Sequence, residues 1–258
     1  MLESPPVTAQ FLDTEQYTRS AIEAYESVYG QDFVSPGGAV VARELIGRLE
    51  LEPDARVLDV GCGLGGSAFL MAREFGLRVD GIDLSRNMLA MASQRCDAHG
   101  LHDRVVLEHG DCLALCRPDR YHAVYSRDVF LHIQDKPNLF GLLRDSLRPG
   151  GRLLFTDYCC GEQPWQAEFS AYVEDRAYCL HTLQEYVALV AGAGFADVSG
   201  EDWSQRFSEI LEMELARIRT SNIDEESRVK LESGWQAKLA RVASGDQRWA
   251  MISAVRPV

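Results

Sequence analysis

Short apolar runs alternate with amphipathic helical segments along most of this chain. The strand-like segments are ARVLDV (55–60), LRVDGIDLS (77–85), DRVVLEHGDC (103–112), YHAVYSRD (121–128), GRLLFTDYC (151–159), ADVSGEDW (196–203) and QRWAMISAV (247–255). The helical segments are FLDTEQYTRSAIEAYESVY (11–29), AVVARELIGRLEL (39–51), SAFLMAREFG (67–76), RNMLAMASQRCDAHG (86–100), TLQEYVALVAGAGF (182–195), SQRFSEILEMELARIRT (204–220) and ESRVKLESGWQAKLARVA (226–243). Strands that alternate with helices are typical of a parallel sheet covered on both faces, so the pattern predicts an α/β fold.

One domain over residues 1–258 accounts for this alternation. Two segments are surplus to a minimal alternating fold: the amino-terminal helix and turn (11–38) and a helical insertion (160–181). We expect the first to act as a lid and the second to lie over the substrate site.

The charge of the chain disfavours a nucleic-acid partner. Its formal net charge is −13, and no basic stripe that could hold a phosphate backbone is visible in the sequence. The sequence shows no basic leader followed by an apolar stretch, and no run of the roughly 20 apolar residues that span a bilayer. We expect a soluble cytoplasmic monomer, without membrane insertion, that acts on a small molecule.

The cysteines point to neither a disulfide framework nor a metal site. Their number, seven, is odd, and no two have CxxC spacing. The expected state is reduced thiols in a cytoplasm, with no bound metal.

A glycine loop follows the first strand. In DVGCGLGG, Gly61, Gly63 and Gly66 come directly between a predicted strand and a predicted helix. Glycine allows a tight turn and a close approach of the backbone to a ligand. The spacing nearly matches the dinucleotide fingerprint GxGxxG, so a nicotinamide-dependent oxidoreductase is one alternative.

Three acidic residues around the loop favour a different cofactor. Asp83 ends the second strand, where its carboxylate can accept hydrogen bonds from both hydroxyls of a ribose. Asp111 ends the third strand, where its carboxylate can accept a hydrogen bond from an adenine amino group. Asp59 precedes the loop. Such an acidic site suits a positively charged ligand without phosphates and suits a pyrophosphate badly.

The stretch YSRDVFLHI (125–133) places titratable groups at the end of the fourth strand. Ligands of doubly wound sheets bind at the carboxyl ends of the strands, so Asp128 is expected at the reacting end of the cofactor. A helix that begins after Asp128 would place His132 one turn further on over the same face, and Asp128 could also cap that helix.

The segments VLDVGCGLGG, GIDLS and EHGDC resemble the class I S-adenosylmethionine-dependent methyltransferases. The resemblance implies a doubly wound, mostly parallel seven-stranded sheet of Rossmann-like form with an added helical cover, and S-adenosyl-L-methionine as cofactor. The cofactor contacts that it implies are Gln16, Ser35, Asp59, Gly61, Gly63, Asp83, Leu84, Asp111, Cys112 and Arg127.

A narrower resemblance runs from about residue 11 to the end of the chain. The segments FLDTEQYT, SPGG, YSRDVFLHI, TDYC, AYVEDRAY, GWQAKL and GDQRW are similar to those of phosphoethanolamine N-methyltransferases. A similar module in ovothiol biosynthesis methylates a ring nitrogen of 5-thiohistidine, which is the alternative substrate. A protein that binds the cofactor without catalysis is a further alternative.

The narrower resemblance also implies roles for individual residues. Tyr17 and His132 form a catalytic latch, with Gln16 beside them and Asp128 near the substrate amine. The residues implied in substrate binding are Gln16, Tyr17, Asp128, Tyr158, Tyr172, Arg176, Tyr178 and Lys238.

Helical spacing supports part of this substrate site independently. Tyr172, Arg176 and Cys179 fall at i, i+4 and i+7 of one predicted helix, which places Tyr172 and Arg176 on one face. Arginine, lysine and tyrosine all donate hydrogen bonds to oxyanions, as an anionic substrate requires.

Overall fold

The computed structural model describes residues 12–16 and 18–258, and the strands in these residues form a single seven-stranded sheet. The strands are β1 (Arg56–Val60), β2 (Arg78–Asp83), β3 (Val105–His109), β4 (Tyr121–Arg127), β5 (Leu147–Cys160), β6 (Ala196–Asp202) and β7 (Gln247–Val255). Their order is β3-β2-β1-β4-β5-β7-β6, and β7 runs antiparallel to both of its neighbours. The doubly wound, mostly parallel sheet predicted from the sequence is confirmed.

The α-helices of the described residues flank this sheet. They are α1 (Arg19–Tyr29), α2 (Gly38–Arg48), α3 (Gly66–Glu74), α4 (Arg86–His99), α5 (Lys136–Ser146), α6 (Ala167–Asp175), α7 (Leu183–Gly192), α8 (Ser204–Thr220) and α9 (Glu225–Ser244). Among the described residues, no helix is both long and apolar enough to cross a membrane.

Apolar side chains from successive strand residues pack on opposite faces of the sheet. In β1, Val57 belongs to a cluster that includes residues of α2, α3, α8 and α9, whereas Leu58 belongs to a cluster that includes residues of α5 and α7. In β4, Tyr125 belongs to the first of these clusters and Val124 to the second. This division follows from the two-residue period of a strand, and it buries the sheet on both sides.

The segment after β4 differs from the sequence-based expectation. No α-helix begins at Asp128; a short 3₁₀ turn (Phe130–His132) follows the strand, and α5 begins only at Lys136. The side chain that caps α5 is Asp135, which accepts a hydrogen bond from the Asn138 N–H at 3.2 Å. The interpretation of Asp128 as a helix cap is therefore wrong, and its carboxylate is available to the cavity.

The amino-terminal helix expected over 11–29 is divided. A π-helical turn (Leu12–Gln16) precedes α1, and Thr18 caps α1 by accepting from the Ala21 N–H. Tyr17 lies outside the described residues, as does the side chain of Gln16.

Candidate active site

A cavity of about 660 Å³ lies at the carboxyl ends of β1, β2, β4 and β5, bordered by residues of α1, α6 and α9. The residues selected from the sequence that line it are Ser35, Gly61, Gly63, Asp83, Leu84, Asp111, Cys112, Arg127, Asp128, His132, Tyr158, Tyr172, Arg176, Tyr178 and Lys238. Asp59 instead borders a smaller space of about 40 Å³ behind the glycine loop. The fold thus brings together residues that are up to 203 positions apart, from Ser35 to Lys238.

Backbone geometry at the glycine loop explains two of its glycines. Gly61 and Gly63 have φ values of 69° and 52°, which side-chain-bearing residues rarely adopt. A Cβ atom on Gly61 would also lie 2.3 Å from Cγ2 of Val129 in the segment after β4. The loop can therefore pass close to the residues that follow Asp128 only because position 61 has no side chain.

Asp83 is held rigidly beside this loop. Its Oδ2 accepts the Gly63 N–H at 2.7 Å, and its Oδ1 accepts the Ser85 N–H at 2.8 Å. Burial raises the pKa of this carboxyl, while the Ser85 and Gly63 N–H groups lower it. Each carboxylate oxygen keeps a second lone pair, so Asp83 can still accept two hydroxyls from a ligand in the cavity.

One further carboxylate, Asp111, lines this end of the cavity, and another, Asp59, lies behind the glycine loop. Asp111 lines the cavity, and its Oδ1 accepts the Leu113 N–H at 2.8 Å. Asp59 is 2% exposed, and burial, together with the charge of Asp83, raises its pKa to about 7. This end of the cavity fits the acidic site expected for a cationic cofactor without phosphates.

Asp128 occupies an unusual backbone conformation at the end of β4. Its φ is 57°, a left-handed value that aspartate tolerates better than most residues but that still carries a cost of about 1–3 kcal/mol. Its Oδ1 accepts the Trp249 Nε1–H at 2.7 Å, while Oδ2 is buried with no hydrogen-bond partner among the described residues. Burial raises the pKa of this carboxyl, and the neighbouring Arg127 lowers it. Asp128 thus lines the cavity with a buried carboxylate that the Trp249 N–H holds in place.

His132 lies across the cavity on the 3₁₀ turn. Its ring makes an edge contact with Tyr178 at a centroid distance of 5.2 Å, and its Nδ1 is buried with no partner among the described residues. Burial lowers the pKa of His132 to about 4, and the charges of Arg176 and Lys136 act in the same direction. The imidazole is therefore neutral at pH 7 and has a free lone pair.

Arg176 caps the carboxyl end of α6 and lies one turn after Tyr172, as the helical spacing predicts. The Arg176 N–H donates to the Tyr172 carbonyl at 3.2 Å, and its guanidinium carbon lies 5.9 Å from the Tyr172 ring centroid. The helix ends at Asp175, however, so Cys179 is not on it, and the expected i+7 relation is wrong. The chain turns there because Ala177 adopts a left-handed φ of 51°.

Lys238 enters the same end of the cavity from α9. Its ammonium lies 4.5 Å from the Trp235 ring centroid and 5.8 Å from that of Tyr158. Burial, opposed by the charge of Glu214 and assisted by that of Arg241, lowers the pKa of Lys238 to about 8. Two aromatic rings therefore lie near the Lys238 ammonium, but they do not fully offset the cost of burying its charge.

Sequence reasoning missed three residues of this cationic half. Arg241 is 8% exposed, and its guanidinium carbon stacks 3.9 Å from the Tyr172 ring centroid. Tyr25 and Tyr29 also line the cavity from α1. Helical spacing could have indicated Arg241, which lies three positions after Lys238, but the approach of α1 depends on tertiary packing.

The turn at residues 35–38 closes the cavity near the glycine loop. Ser35 and Pro36 line the cavity, and the Arg127 guanidinium donates to the carbonyls of Pro36 and Gly38. Arg127 borders the cavity, but these hydrogen bonds of its side chain hold the turn. Its direct contact with a cofactor stays a prediction.

Comparison with known proteins places this site in a family. The family model described as "Methyltransferase domain" matches residues 38–199. Phosphoethanolamine N-methyltransferase 1 of Arabidopsis thaliana is 43% identical over 252 residues, which cover 95% of this chain and 51% of the plant protein. The phosphoethanolamine N-methyltransferase of Plasmodium falciparum is 31% identical over 256 residues, which cover 95% of each protein. This chain therefore spans about half the length of the plant relatives but nearly all of the Plasmodium one.

A solved structure is similar over almost the whole chain. It is phosphoethanolamine N-methyltransferase 2 of Haemonchus contortus in complex with phosphomonomethylethanolamine and S-adenosylhomocysteine. The match has a TM-score of 0.93 and 36% identity, and it covers 98% of this chain and 61% of the nematode chain.

Proposed function

The chain belongs to the phosphoethanolamine N-methyltransferase family, and we propose that it transfers a methyl group from S-adenosyl-L-methionine to the amine of phosphoethanolamine, toward phosphocholine. The observation that carries this proposal is the charge distribution of one cavity. Asp83 and Asp111 line one end, whereas Arg176, Lys238 and Arg241 line the other. An acidic end suits a cationic cofactor, and a cationic end with tyrosine hydroxyls suits a phosphate.

The acidic end would hold the cofactor. Asp83 accepts the two ribose hydroxyls, and Asp111 accepts from the adenine amino group. Asp59 borders the small space behind the glycine loop. The other contacts expected from the sequence are Gln16, Ser35, Gly61, Gly63, Leu84, Cys112 and Arg127. When bound, S-adenosyl-L-methionine supplies an electrophilic methyl group on a sulfonium.

The substrate amine attacks that methyl carbon as a neutral nucleophile. The new N–C bond forms as the C–S bond breaks, and the electron pair of the broken bond stays on sulfur. Asp128 orients the amine, and His132 accepts, directly or through Tyr17, the proton that the substrate ammonium must lose before its nitrogen can attack. Orientation of the two reactants and exclusion of water contribute the remaining catalysis.

Substrate binding would also strengthen the base. Arg176 is one of the charges that lower the pKa of His132, and the proposed phosphate binds beside Arg176. Because a phosphate carries about −1.5 to −2 charges at pH 7, it offsets that cation and raises the proton affinity of the imidazole. The substrate thereby prepares His132 for proton transfer.

Residues 11–38 act as a lid in this proposal. Leu12, Tyr25 and Val34 line the cavity, and the Asp13 carboxylate accepts the Ser85 hydroxyl at 2.6 Å, next to Asp83. Closure over both ligands excludes water from the reacting groups. The segment 160–181 covers the substrate through Tyr172, Arg176 and Tyr178, which border the cavity.

The alternatives drawn from the sequence receive less support. The relatives described above are phosphoethanolamine enzymes, so nothing in them favours 5-thiohistidine. Membership of a methyltransferase family leaves no support for a nicotinamide-dependent oxidoreductase. The cytoplasmic location, the monomeric state and the absence of a nucleic-acid partner stay predictions.

A substrate panel tests the proposed function. Purified protein is incubated with S-adenosyl-L-methionine and phosphoethanolamine, its mono- and dimethyl forms, ethanolamine or 5-thiohistidine, and the products are identified by mass spectrometry. We expect methylation of phosphoethanolamine. The proposal would be overturned if the protein methylates 5-thiohistidine but not phosphoethanolamine. In that case Arg176, Lys238 and Arg241 would bind the carboxylate of an amino acid instead of a phosphate.

Replacing Asp83 with alanine should weaken cofactor binding at least about tenfold, because it removes two charge-assisted hydrogen bonds of about 1.5–3 kcal/mol each, partly replaced by water. Calorimetric affinity for S-adenosyl-L-methionine measures the effect. Asp83→Asn is the matched comparison, because its amide retains one acceptor oxygen for the Gly63 or Ser85 N–H. An unchanged affinity in the alanine variant would contradict the assignment of Asp83 to the ribose.

The pKa of Lys238, lowered to about 8, predicts a pH dependence. The ammonium is charged below this pH and neutral above it, so kcat/KM for phosphoethanolamine should lose a contribution as pH rises through 8, by up to about tenfold per unit. In Lys238→Arg, the guanidinium stays charged, so the loss should disappear. The ratio of wild-type to variant kcat/KM, measured from pH 6.5 to 9.5, cancels titration of the substrate amine. A ratio independent of pH would contradict the role of Lys238.

A further inference from the structure

A buried carboxylate on α8 contacts both halves of the cavity wall. Glu214 is 3% exposed; one oxygen accepts the Gly37 N–H at 2.8 Å, and the other accepts the Trp235 Nε1–H at 2.9 Å. Gly37 belongs to the turn that borders the cofactor end, whereas Trp235 belongs to the wall of the substrate end. The mechanism proposed above does not use Glu214.

Each partner of Glu214 is itself tied to a binding residue. The turn at 35–38 is held from its other side by Arg127, which adjoins Asp128 in the sequence. Trp235 carries the Lys238 ammonium on its face at 4.5 Å. Glu214 therefore contacts the cofactor-covering turn directly and is two contacts away from Lys238.

The cost of this arrangement argues for a role beyond packing. A buried carboxylate is expensive unless its charge is compensated, and an apolar residue could have filled the space between two helices. Burial raises the pKa of Glu214, while the Gly37 N–H, the Trp235 Nε1–H and the Lys238 ammonium lower it. The Glu214 carboxylate stays charged only if the turn and Trp235 keep their positions. In return, its hydrogen bonds hold the turn and Trp235 in place.

We propose that Glu214 is a positioning residue that couples the cofactor and substrate sites, so that occupation of one raises the affinity of the other. The inference rests on the proposed function. A ligand that orders the turn fixes the Gly37 N–H, which fixes the Glu214 carboxylate and, through Trp235, the position of Lys238. Thermodynamic linkage requires the effect to be the same in both directions.

Calorimetry measures this coupling without turnover when S-adenosylhomocysteine replaces the methyl donor. The dissociation constant of phosphoethanolamine is measured with and without saturating S-adenosylhomocysteine, and the reverse pair of titrations checks reciprocity. We expect the wild-type ratio to lie in the range of about 5 to 150 typical of coupled sites. In Glu214→Gln the ratio should fall toward 1, because the amide cannot accept from both N–H donors.

The matched control is Glu212→Gln on the exposed side of the same helix, which should keep the wild-type ratio. Trp235→Phe keeps an aromatic ring but removes the Nε1–H partner of Glu214, so it should also lower the ratio, and it decides the question if Glu214→Gln does not fold. A merely structural role would weaken both ligands and leave the ratio unchanged. A wild-type ratio of 1, or equal ratios in wild type and variants, would overturn the coupling. If neither ligand binds the wild type, the proposed function fails, and the inference fails with it.

Discussion

Replacing His132 with alanine should lower kcat by about 10²- to 10⁴-fold, the usual contribution of a general base. The cofactor affinity should change little, because the proposed cofactor contacts, Asp83 and the glycine loop, do not include His132. The effect follows from the neutral state of the imidazole, whose pKa near 4 leaves its lone pair free at pH 7. Single-turnover rates at saturating phosphoethanolamine separate this chemical step from binding.

The pH dependence of the alanine variant distinguishes loss of a base from loss of packing. Raising the pH increases the fraction of neutral amine in solution, so the variant should recover part of its rate relative to the wild type. A variant that merely repacks around the missing ring would show no such recovery. His181→Ala provides a control, because His181 lies outside the residues that border the cavity. Near-normal turnover of His132→Ala at pH 7 would assign His132 a structural role.

Removing the phosphate from the substrate should lower kcat/KM by about 10³-fold or more. Arg176, Lys238 and Arg241 border the proposed phosphate site, and three charge-assisted contacts at even 1.5 kcal/mol each correspond to roughly this factor. Ethanolamine keeps the amine but lacks the phosphate that these cations are proposed to bind. Initial rates with ethanolamine and phosphoethanolamine under identical conditions give the ratio.

The Arg176→Ala variant tests whether Arg176 contributes to the preference for phosphoethanolamine over ethanolamine. Arg176→Ala should raise KM for phosphoethanolamine with a smaller effect on kcat, because the phosphate contact is the same in the ground and transition states. The preference for phosphoethanolamine over ethanolamine should narrow in the same variant. Arg73→Ala is the control for net charge. It removes the same charge from an exposed residue that does not border the cavity. An undiminished preference in Arg176→Ala would contradict the placement of the phosphate beside Arg176.

The fold class and most of the residues that line the cavity could be predicted from the amino-acid sequence. Strand and helix periods depend on residues a few positions apart, so the alternation of elements could be predicted directly. Acidic residues at strand ends, such as Asp83 and Asp111, inherit their common location from the parallel topology, which brings the carboxyl ends of neighbouring strands to one edge. The pairing of Tyr172 with Arg176 followed in the same way from the pitch of one helix.

The contacts that join distant parts of the chain could not be predicted in this way, because they depend on tertiary packing. Asp128 accepts a hydrogen bond from Trp249, 121 positions away. Glu214 accepts one from Gly37, 177 positions away, and another from Trp235. Such contacts depend on how α8, α9 and β7 pack against the rest of the molecule, and no local period encodes that packing. The left-handed backbone of Asp128 also depends on tertiary packing. This conformation is unfavourable for a residue with a side chain, so the surrounding structure must stabilise it.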